Sequence, residues 1–116
     1  MKLEPNMYVR TKDGDMFILD KIEDNHLIPR YVHIPYIITE EDVLKTSHNI
    51  IDLIEVGDFV NGEIVIGFGT FYYDDGTIER TSLTLDRTVT CLNSEIKSVI
   101  THEQMEQMEY KVGDDK

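Results

Sequence analysis

The sequence has few cysteines, few positive charges and no long apolar run, and each shortage excludes a class of protein. A single cysteine, Cys91, excludes an internal disulfide and fits a reducing cytosol. No stretch approaches the roughly 18 consecutive apolar residues that cross a bilayer. Residues 1–6 lack the apolar segment of a signal peptide. We therefore expect a cytoplasmic protein that folds as one domain, residues 1–116.

Positive charge is scarce, because 11 Lys and Arg stand against 23 Asp and Glu, a formal net charge of −12. DNA, RNA and anionic membranes are bound by clustered Lys and Arg, and here no two basic residues are adjacent. Direct binding to nucleic acid or to a membrane is therefore not expected. An acidic surface instead attracts a basic protein, such as a groove evolved for nucleic acid. The alternative is that the acidity only keeps a small domain soluble.

Short β-prone runs separated by turn residues dominate the chain. Asp13-Gly14, Asn61-Gly62 and Asp74-Asp75-Gly76 each separate two such runs. These residues adopt the left-handed backbone that tight hairpins need. Seven or eight short strands at this spacing predict a mainly β fold, a small antiparallel barrel or sandwich. An SH3-like barrel is the preferred form of it.

Four less regular segments are predicted to form a loop and three strands. Prolines interrupt residues 24–36, which are expected to form a loop on the core with a short strand at 31–34. The runs at 50–54, 87–92 and 95–100 are expected to be strands.

Two short helices are predicted. Thr39 followed by three acids, Glu40, Glu41 and Asp42, is typical of a helix start, and this helix should end near Thr46. Thr101 to Gln104 matches a capping box, which predicts a C-terminal helix. At helical spacing its core face would carry Met105, Met108 and Val112, and its outer face Glu103, Glu106 and Glu109.

No residue pattern typical of an enzyme, a metal site or a cofactor site stands out. None of the four histidines pairs with another at a spacing of two or four, as zinc ligands on one element would. Cys91 lies in a strand-like context and is expected to be a buried core thiol. Gly67-Phe68-Gly69 precedes no helix and is expected to mark a strand bulge. The sequence thus predicts a protein that is not an enzyme and uses no cofactor.

The residues best suited to contact a partner lie in and around an aromatic, acidic hairpin. Phe71 and Tyr73 should share one face of a strand, and one face of it should be core; Tyr72 lies on the other face, beside the turn. Tyrosine among acids is common at interfaces, although a cross-strand aromatic in a half-solvated sheet is the alternative. The predicted contact residues are Glu40, Glu41, Asp42, Tyr72, Tyr73, Asp74, Asp75 and Glu79, with Glu103 and Glu106 as secondary candidates.

Two segments, residues 49–62 and 95–112, resemble stretches of small proteins from phages and prophages of Gram-positive bacteria. In those proteins the two segments flank a shorter, variable β middle. The present chain departs from that pattern in its longer middle, residues 67–86, which contains the aromatic hairpin. Because loops on a fixed scaffold usually carry function, the resemblance implies that this middle selects the partner.

The resemblance leaves three hypotheses for function. Small phage proteins of this kind include anti-CRISPR inhibitors, many of them acidic nucleic-acid mimics, which implies an inhibitor that occupies the basic groove of a CRISPR effector nuclease in the host cytoplasm. The second is a phage structural or assembly adaptor that forms homo-oligomers through strand edges. The third is a sponge for a signalling nucleotide, with Arg80 or Arg87 beside Tyr73.

Overall fold

The chain folds into two antiparallel sheets and one C-terminal helix, as seen in a computed structural model that describes residues 2–108. The first sheet contains β1 (Tyr8–Thr11), β2 (Met16–Glu23), β3 (His26–Arg30) and β4 (Val43–Ser47). The second contains β5 (Phe59–Val60), β6 (Glu63–Tyr72), β7 (Ile78–Leu85), β8 (Cys91–Leu92) and β9 (Val99–Ile100). The helix is α1 (His102–Met108), and 3-10 turns cover Glu40–Asp42, Ile50–Leu53 and Asn93–Glu95.

The strand order is β3-β2-β1-β4 in the first sheet and β8-β7-β6-β5-β9 in the second. This confirms the predicted mainly β fold with a short C-terminal helix. The sheets do not close into a barrel, so the sandwich alternative fits and the SH3-like barrel does not.

The three hairpins form where the turn residues predict them. Gly14, Gly62 and Gly76 all have positive φ, and so does Asn61. The Asn61 side chain also fixes a distant segment, because its Oδ1 accepts the Lys97 N–H at 2.8 Å and its Nδ2 donates to the Glu95 carbonyl at 2.9 Å. The expected bulges around Gly67 and Gly69 are confirmed by two register shifts between β6 and β7.

The predicted loop at 24–36 is wrong in its first half. Residues 26–30 form β3, and Pro29 is tolerated because β3 is the edge strand of its sheet. The strand expected at 31–34 is absent, and the left-handed backbone of Tyr31, φ 66°, ends the ladder there.

The helix predicted from Thr39 to Thr46 is also wrong. Only Glu40–Asp42 is helical, as a 3-10 turn, and residues 43–47 pair with β1 instead. The β-branched Val43 and Thr46 suit a strand, and Val43 is buried there. Local capping signals were therefore outweighed by tertiary pairing.

The strands expected at 50–54, 87–92 and 95–100 are much shorter or missing. Ile50–Leu53 is a 3-10 turn that carries the chain from the first sheet to the second while burying Ile51 and Leu53. In the other two segments only Cys91–Leu92 and Val99–Ile100 pair as strands.

Each sheet has its own apolar core. The cluster of the first sheet consists of Val9, Phe17, Leu19, Leu27, Ile38 and Val43. The cluster of the second sheet consists of Ile51, Ile54, Val60, Val65, Leu83, Leu85 and Cys91, with Met16 of β2 packed against it. The expectation of a buried Cys91 is confirmed. Because the two clusters are separate, polar contacts between the halves become important.

The capping box at the start of α1 is confirmed. The Thr101 N–H donates to Gln104 Oε1 at 3.1 Å, and the Gln104 N–H donates back to Thr101 Oγ1 at 3.3 Å. The Thr101 hydroxyl also donates to the Gly14 carbonyl at 2.7 Å, which fixes the helix against the β1–β2 turn. The predicted positions of Glu109 and Val112 lie outside the described residues.

We expect Gly14→Ala to destabilise the fold much more than Gly62→Ala. Both glycines have positive φ, which costs an alanine about 1 kcal/mol. A Cβ at Gly14 would also collide with Thr101 Oγ1 and lie 2.7 Å from Glu103 Cβ, whereas nothing lies within 4 Å at Gly62. Overpacking adds about 1–3 kcal/mol, measurable as the difference in urea unfolding free energy. Equal losses in the two variants would contradict this packing of α1.

Candidate functional site

The tip of the β6–β7 hairpin, residues 71–79, is exposed on both faces. Phe71 is 52% exposed, Tyr72 70% and Tyr73 46%, and Ile78 on the opposite strand is 61% exposed. Phe71 and Tyr73 share a face as predicted, with ring centroids 4.8 Å apart in an edge-on arrangement. The expectation that one face of this stretch is core is wrong, because the apolar packing of the second sheet ends further back, at Phe68 on β6 and Leu83 on β7.

Two acidic side chains of the tip, Asp75 and Glu79, hydrogen-bond to other residues of the hairpin. Asp75 Oδ1 accepts the Thr77 N–H at 2.9 Å and the Thr77 hydroxyl at 2.7 Å, which lowers the pKa of Asp75. The Tyr73 hydroxyl donates to Glu79, and this hydrogen bond raises the pKa of Tyr73. The tip therefore presents an ordered set of tyrosines and carboxylates to solvent. Five of the predicted contact residues lie in it: Tyr72, Tyr73, Asp74, Asp75 and Glu79.

Arg80 anchors the base of the hairpin. Its guanidinium carbon lies 3.7 Å from the centroid of the Phe68 ring, and its Nη1 donates to the carbonyls of Ile51 at 3.2 Å and Ile54 at 2.6 Å. The guanidinium thus contacts the protein's own backbone and Phe68 rather than Tyr73. The nucleotide-sponge hypothesis also named Arg87 and stays a prediction.

The other three predicted contact residues lie beside the first sheet, not beside the hairpin. Asp42 is a structural residue, because its Oδ2 accepts the Thr39 N–H at 2.9 Å. Glu40 and Glu41 are exposed on the rim of a groove of about 710 Å³ whose apolar lining includes Leu3 and Leu27. The predicted set therefore divides into two places on two sheets.

Between the two apolar clusters lies a buried ion pair that the sequence did not reveal. Arg10 of β1 and Asp58, which precedes β5, are both 0% exposed. Arg10 Nη1 donates to Asp58 Oδ2 at 2.5 Å, and Nη2 donates to Oδ1 at 3.1 Å, a two-pronged contact. Burial acts to lower the pKa of Arg10, but Asp58, Glu103 and Glu55 together outweigh it and the net pKa is raised.

Both partners make further hydrogen bonds. Arg10 also donates to the Leu53 carbonyl at 2.9 Å and to Glu103 Oε1 at 2.6 Å. Asp58 accepts the Glu55 N–H at 2.7 Å and the His102 N–H at 2.9 Å. One carboxylate thus connects the first sheet, the turn before β5 and the start of α1. Among the described residues, Arg10 Nε is a buried polar side-chain atom without a hydrogen-bond partner.

The outer part of this cluster is less buried. His102 Nε2 lies 2.8 Å from Glu55 Oε1, and Lys45 Nζ lies 3.0 Å from Glu55 Oε2. Burial acts to raise the pKa of Glu55, but hydrogen bonds from His102 and Lys45 and the charge of Arg10 outweigh it and lower the pKa to about 2. The hydrogen bond with Glu55 in turn raises the pKa of His102.

The predicted orientation of α1 is wrong for Glu103 and the two methionines, whereas Glu106 faces outward as predicted. Glu103 faces inward to Arg10, whereas Met105 is 36% exposed and Met108 64% exposed. Glu103 Oε1 accepts a hydrogen bond from Arg10 Nη2 at 2.6 Å, and the donors of a buried guanidinium need such partners. Glu106, the other secondary candidate, is exposed and its Oε2 lies 3.7 Å from His102 Nδ1.

Glu55, His102 and Glu103 lie close enough to one another to offer ligand atoms to a metal ion. The same carboxylates already contact Arg10 and Lys45, so a divalent cation would meet two fixed positive charges. The arrangement is an ion-pair network, and we assign no metal to it.

Comparison of the chain with protein-family models, with curated proteins and with solved structures gave no match. Within residues 2–108, none of the helices has the length and apolar character needed to cross a membrane. The functional interpretation therefore depends on the geometry of the described residues.

Removing either partner of the buried Arg10–Asp58 pair should strongly lower the unfolding free energy. We expect Arg10→Met and Asp58→Ala each to lose about 3–5 kcal/mol of unfolding free energy, because each leaves the other charge buried and unpaired. The double variant should lose clearly less than the sum of the two, which a double-mutant cycle in urea would measure. Single losses below about 1 kcal/mol would contradict the burial of this pair.

At low pH the fold should lose the stability that the charged Glu55 contributes. Its folded-state pKa of about 2 lies below the ordinary 4.5, so its stabilising effect is complete above about pH 4.5 and is lost as the pH falls toward about 2. The unfolding free energy of Glu55→Gln should therefore lie below that of the wild type at pH 6, and the gap should shrink between about pH 4.5 and 2. A constant gap over this window would show that Glu55 is not held charged by its neighbours.

Proposed function

We propose that this protein is an acidic inhibitor that binds, through the tip of its β6–β7 hairpin, the basic groove of a nucleic-acid-binding protein. The expected target is a host CRISPR nuclease, because the resemblance to small phage proteins implies that setting. The observation that carries the proposal is the exposure of every residue from 71 to 79, with aromatic rings and carboxylates side by side.

The chemistry of the tip suits such a groove. A groove built for phosphate carries Lys and Arg, whose charges pair with Asp74, Asp75 and Glu79 and whose side chains stack on tyrosine rings. A tyrosine offers a large contact area with few rotatable bonds, and an interface aromatic at the centre of a contact often carries most of the binding energy. Tyr72, the most exposed ring of the tip, would serve as that anchor.

The shape of the hairpin also supports insertion into a groove. Its tip is held by the Asp75–Thr77 hydrogen bonds, and its base is fixed by Arg80 on the carbonyls of Ile51 and Ile54. A loop that is ordered before binding loses less conformational entropy on binding. The net charge of −12 adds long-range attraction toward a basic target and makes association sensitive to salt.

The proposal is tested by competition with DNA. Guide-loaded CRISPR nucleases of a Gram-positive host are mixed with fluorescent target DNA, and release of the DNA is followed by anisotropy as the protein is added. We expect the wild-type protein to release the DNA and Tyr72→Ala to require about 30-fold more protein, equivalent to about 2 kcal/mol. Tyr72 is so exposed that its removal should leave the unfolding transition unchanged.

A charge-matched pair of variants isolates the electrostatic part. Asp74→Asn with Asp75→Asn removes two charges, and an asparagine at 75 still accepts the Thr77 N–H. The control, Glu23→Gln with Asp86→Asn, removes two exposed charges outside the tip. We expect only the tip variant to weaken inhibition severalfold and to flatten its salt dependence. The proposal fails if the wild-type protein displaces DNA from none of these nucleases, or if both double variants lose equally.

A further inference from the structure

A second exposed apolar surface lies on the opposite half of the molecule, where the chain leaves β3. We call it the apolar strip and define it as Tyr31, Val32, Tyr36 and Ile37, which are 95%, 51%, 44% and 64% exposed. The Leu27 N–H donates to the Ile38 carbonyl at 2.8 Å, so the segment folds back along β3 and presents these side chains outward. Contiguous exposed apolar residues of this kind usually mark an interaction site.

The charge pattern around the strip is unlike that of the rest of the chain. Residues 25–38 contain no Asp or Glu, although the protein has 23 of them. The only Lys or Arg in this stretch, Arg30, is paired with Asp20, whose Oδ1 lies 3.2 Å from its Nε. The Tyr36 hydroxyl donates to Asp15, so this polar group is already engaged. The four side chains of the strip are therefore uncharged within a strongly negative molecule, and the carboxylate of Asp15 lies at its edge.

The strip also contains both a projection and a hollow. Tyr31 stands almost fully in solvent on a left-handed backbone, φ 66°, which is an unfavourable conformation for a bulky side chain. Beside it lies a groove of about 280 Å³ whose lining includes Val32, Ile34 and Ile37. A surface that carries a projecting ring next to an apolar groove can match a second copy of itself about a two-fold axis.

We propose that the apolar strip is the interface of a symmetric dimer, in which Tyr31 of each copy enters the groove of the other. Two copies that each carry −12 repel one another, and the strip is a face whose own side chains carry no charge. The strip itself offers a basic partner no carboxylate, and the two acids beside it, Asp15 and Asp20, are already bonded to Tyr36 and Arg30.

The small size of the strip predicts a weak dimer. Four exposed side chains correspond to the low end of specific interfaces, below about 1,200 Å² in total, so association should depend strongly on concentration. Salt should strengthen this dimer, because it screens the repulsion between the two negative copies. Salt should weaken binding of the hairpin tip to a basic groove, so the two proposals respond to salt in opposite directions.

Sedimentation velocity of the full chain from about 2 to about 500 µM tests the dimer. The weight-average mass should rise from the chain mass of 13.5 kDa toward twice that value, and more steeply in high salt. Val32→Glu places a carboxylate from each copy at the two-fold contact and should weaken dimerisation at least about tenfold. The control is Val89→Glu, the same change at a residue that is 75% exposed outside the strip, and it should dimerise like the wild type.

A second variant distinguishes loss of the interface from misfolding. Tyr31→Asn removes the projecting ring while asparagine accepts the left-handed backbone readily, so this variant should keep or raise its unfolding free energy and still lose the dimer. The inference is overturned if the wild-type protein stays monomeric at the highest concentration. It is also overturned if Val32→Glu and Val89→Glu behave alike, or if Tyr72→Ala abolishes association and Tyr31→Asn does not.

Discussion

The structure depends on the buried pair of Arg10 and Asp58. The apolar residues divide into two clusters, one for each sheet, and Arg10 of the first sheet reaches Asp58 at the entrance to the second. Asp58 in turn accepts the first N–H of α1, so three parts of the fold meet at one carboxylate. Burying two charges costs several kcal/mol per ion, which close two-pronged geometry and additional hydrogen bonds offset. The fold is thereby specified by polar geometry at a place where a larger protein would have continuous apolar packing.

Two segments predicted from the sequence as scaffold, 49–62 and the described part of 95–112, contact each other in the folded chain. Val60 pairs with Val99, Asn61 binds the backbone of residues 95–98, and Asp58 receives the His102 N–H. As far as the structure describes them, they form one continuous scaffold beneath the β6–β7 hairpin. Length and sequence of the hairpin tip can vary without disturbing that scaffold, because the tip extends beyond the apolar cluster.

Features encoded within a few residues were predicted well, and features that depend on distant pairing were not. The hairpin turns at Gly14, Gly62 and Gly76 and the capping box at Thr101 follow from local backbone preferences. The Arg10–Asp58 contact joins residues 48 positions apart, and no spacing rule connects them. The helix expected after Thr39 failed because pairing with β1 overrides a capping signal, and α1 turned its Glu103 inward because the buried Arg10 lies there. The candidate site was predicted only in part. Of the predicted contact residues, those in the hairpin lie together, since strand pairing of β6 and β7 is itself local. Glu40 and Glu41 were grouped with them only by charge, and charge alone does not indicate proximity.

The buried thiol of Cys91 has a practical consequence. It is the sole cysteine of the chain, it lies in the apolar cluster of the second sheet, and burial raises its pKa, so a thiol reagent reaches it only when that sheet opens. The rate at which Cys91 is modified therefore reports the opening of the second sheet separately from that of the first, and no cysteine has to be introduced. Comparing that rate with amide exchange in the first sheet would show whether the two halves open together, and hence how far a single buried ion pair makes them one cooperative unit.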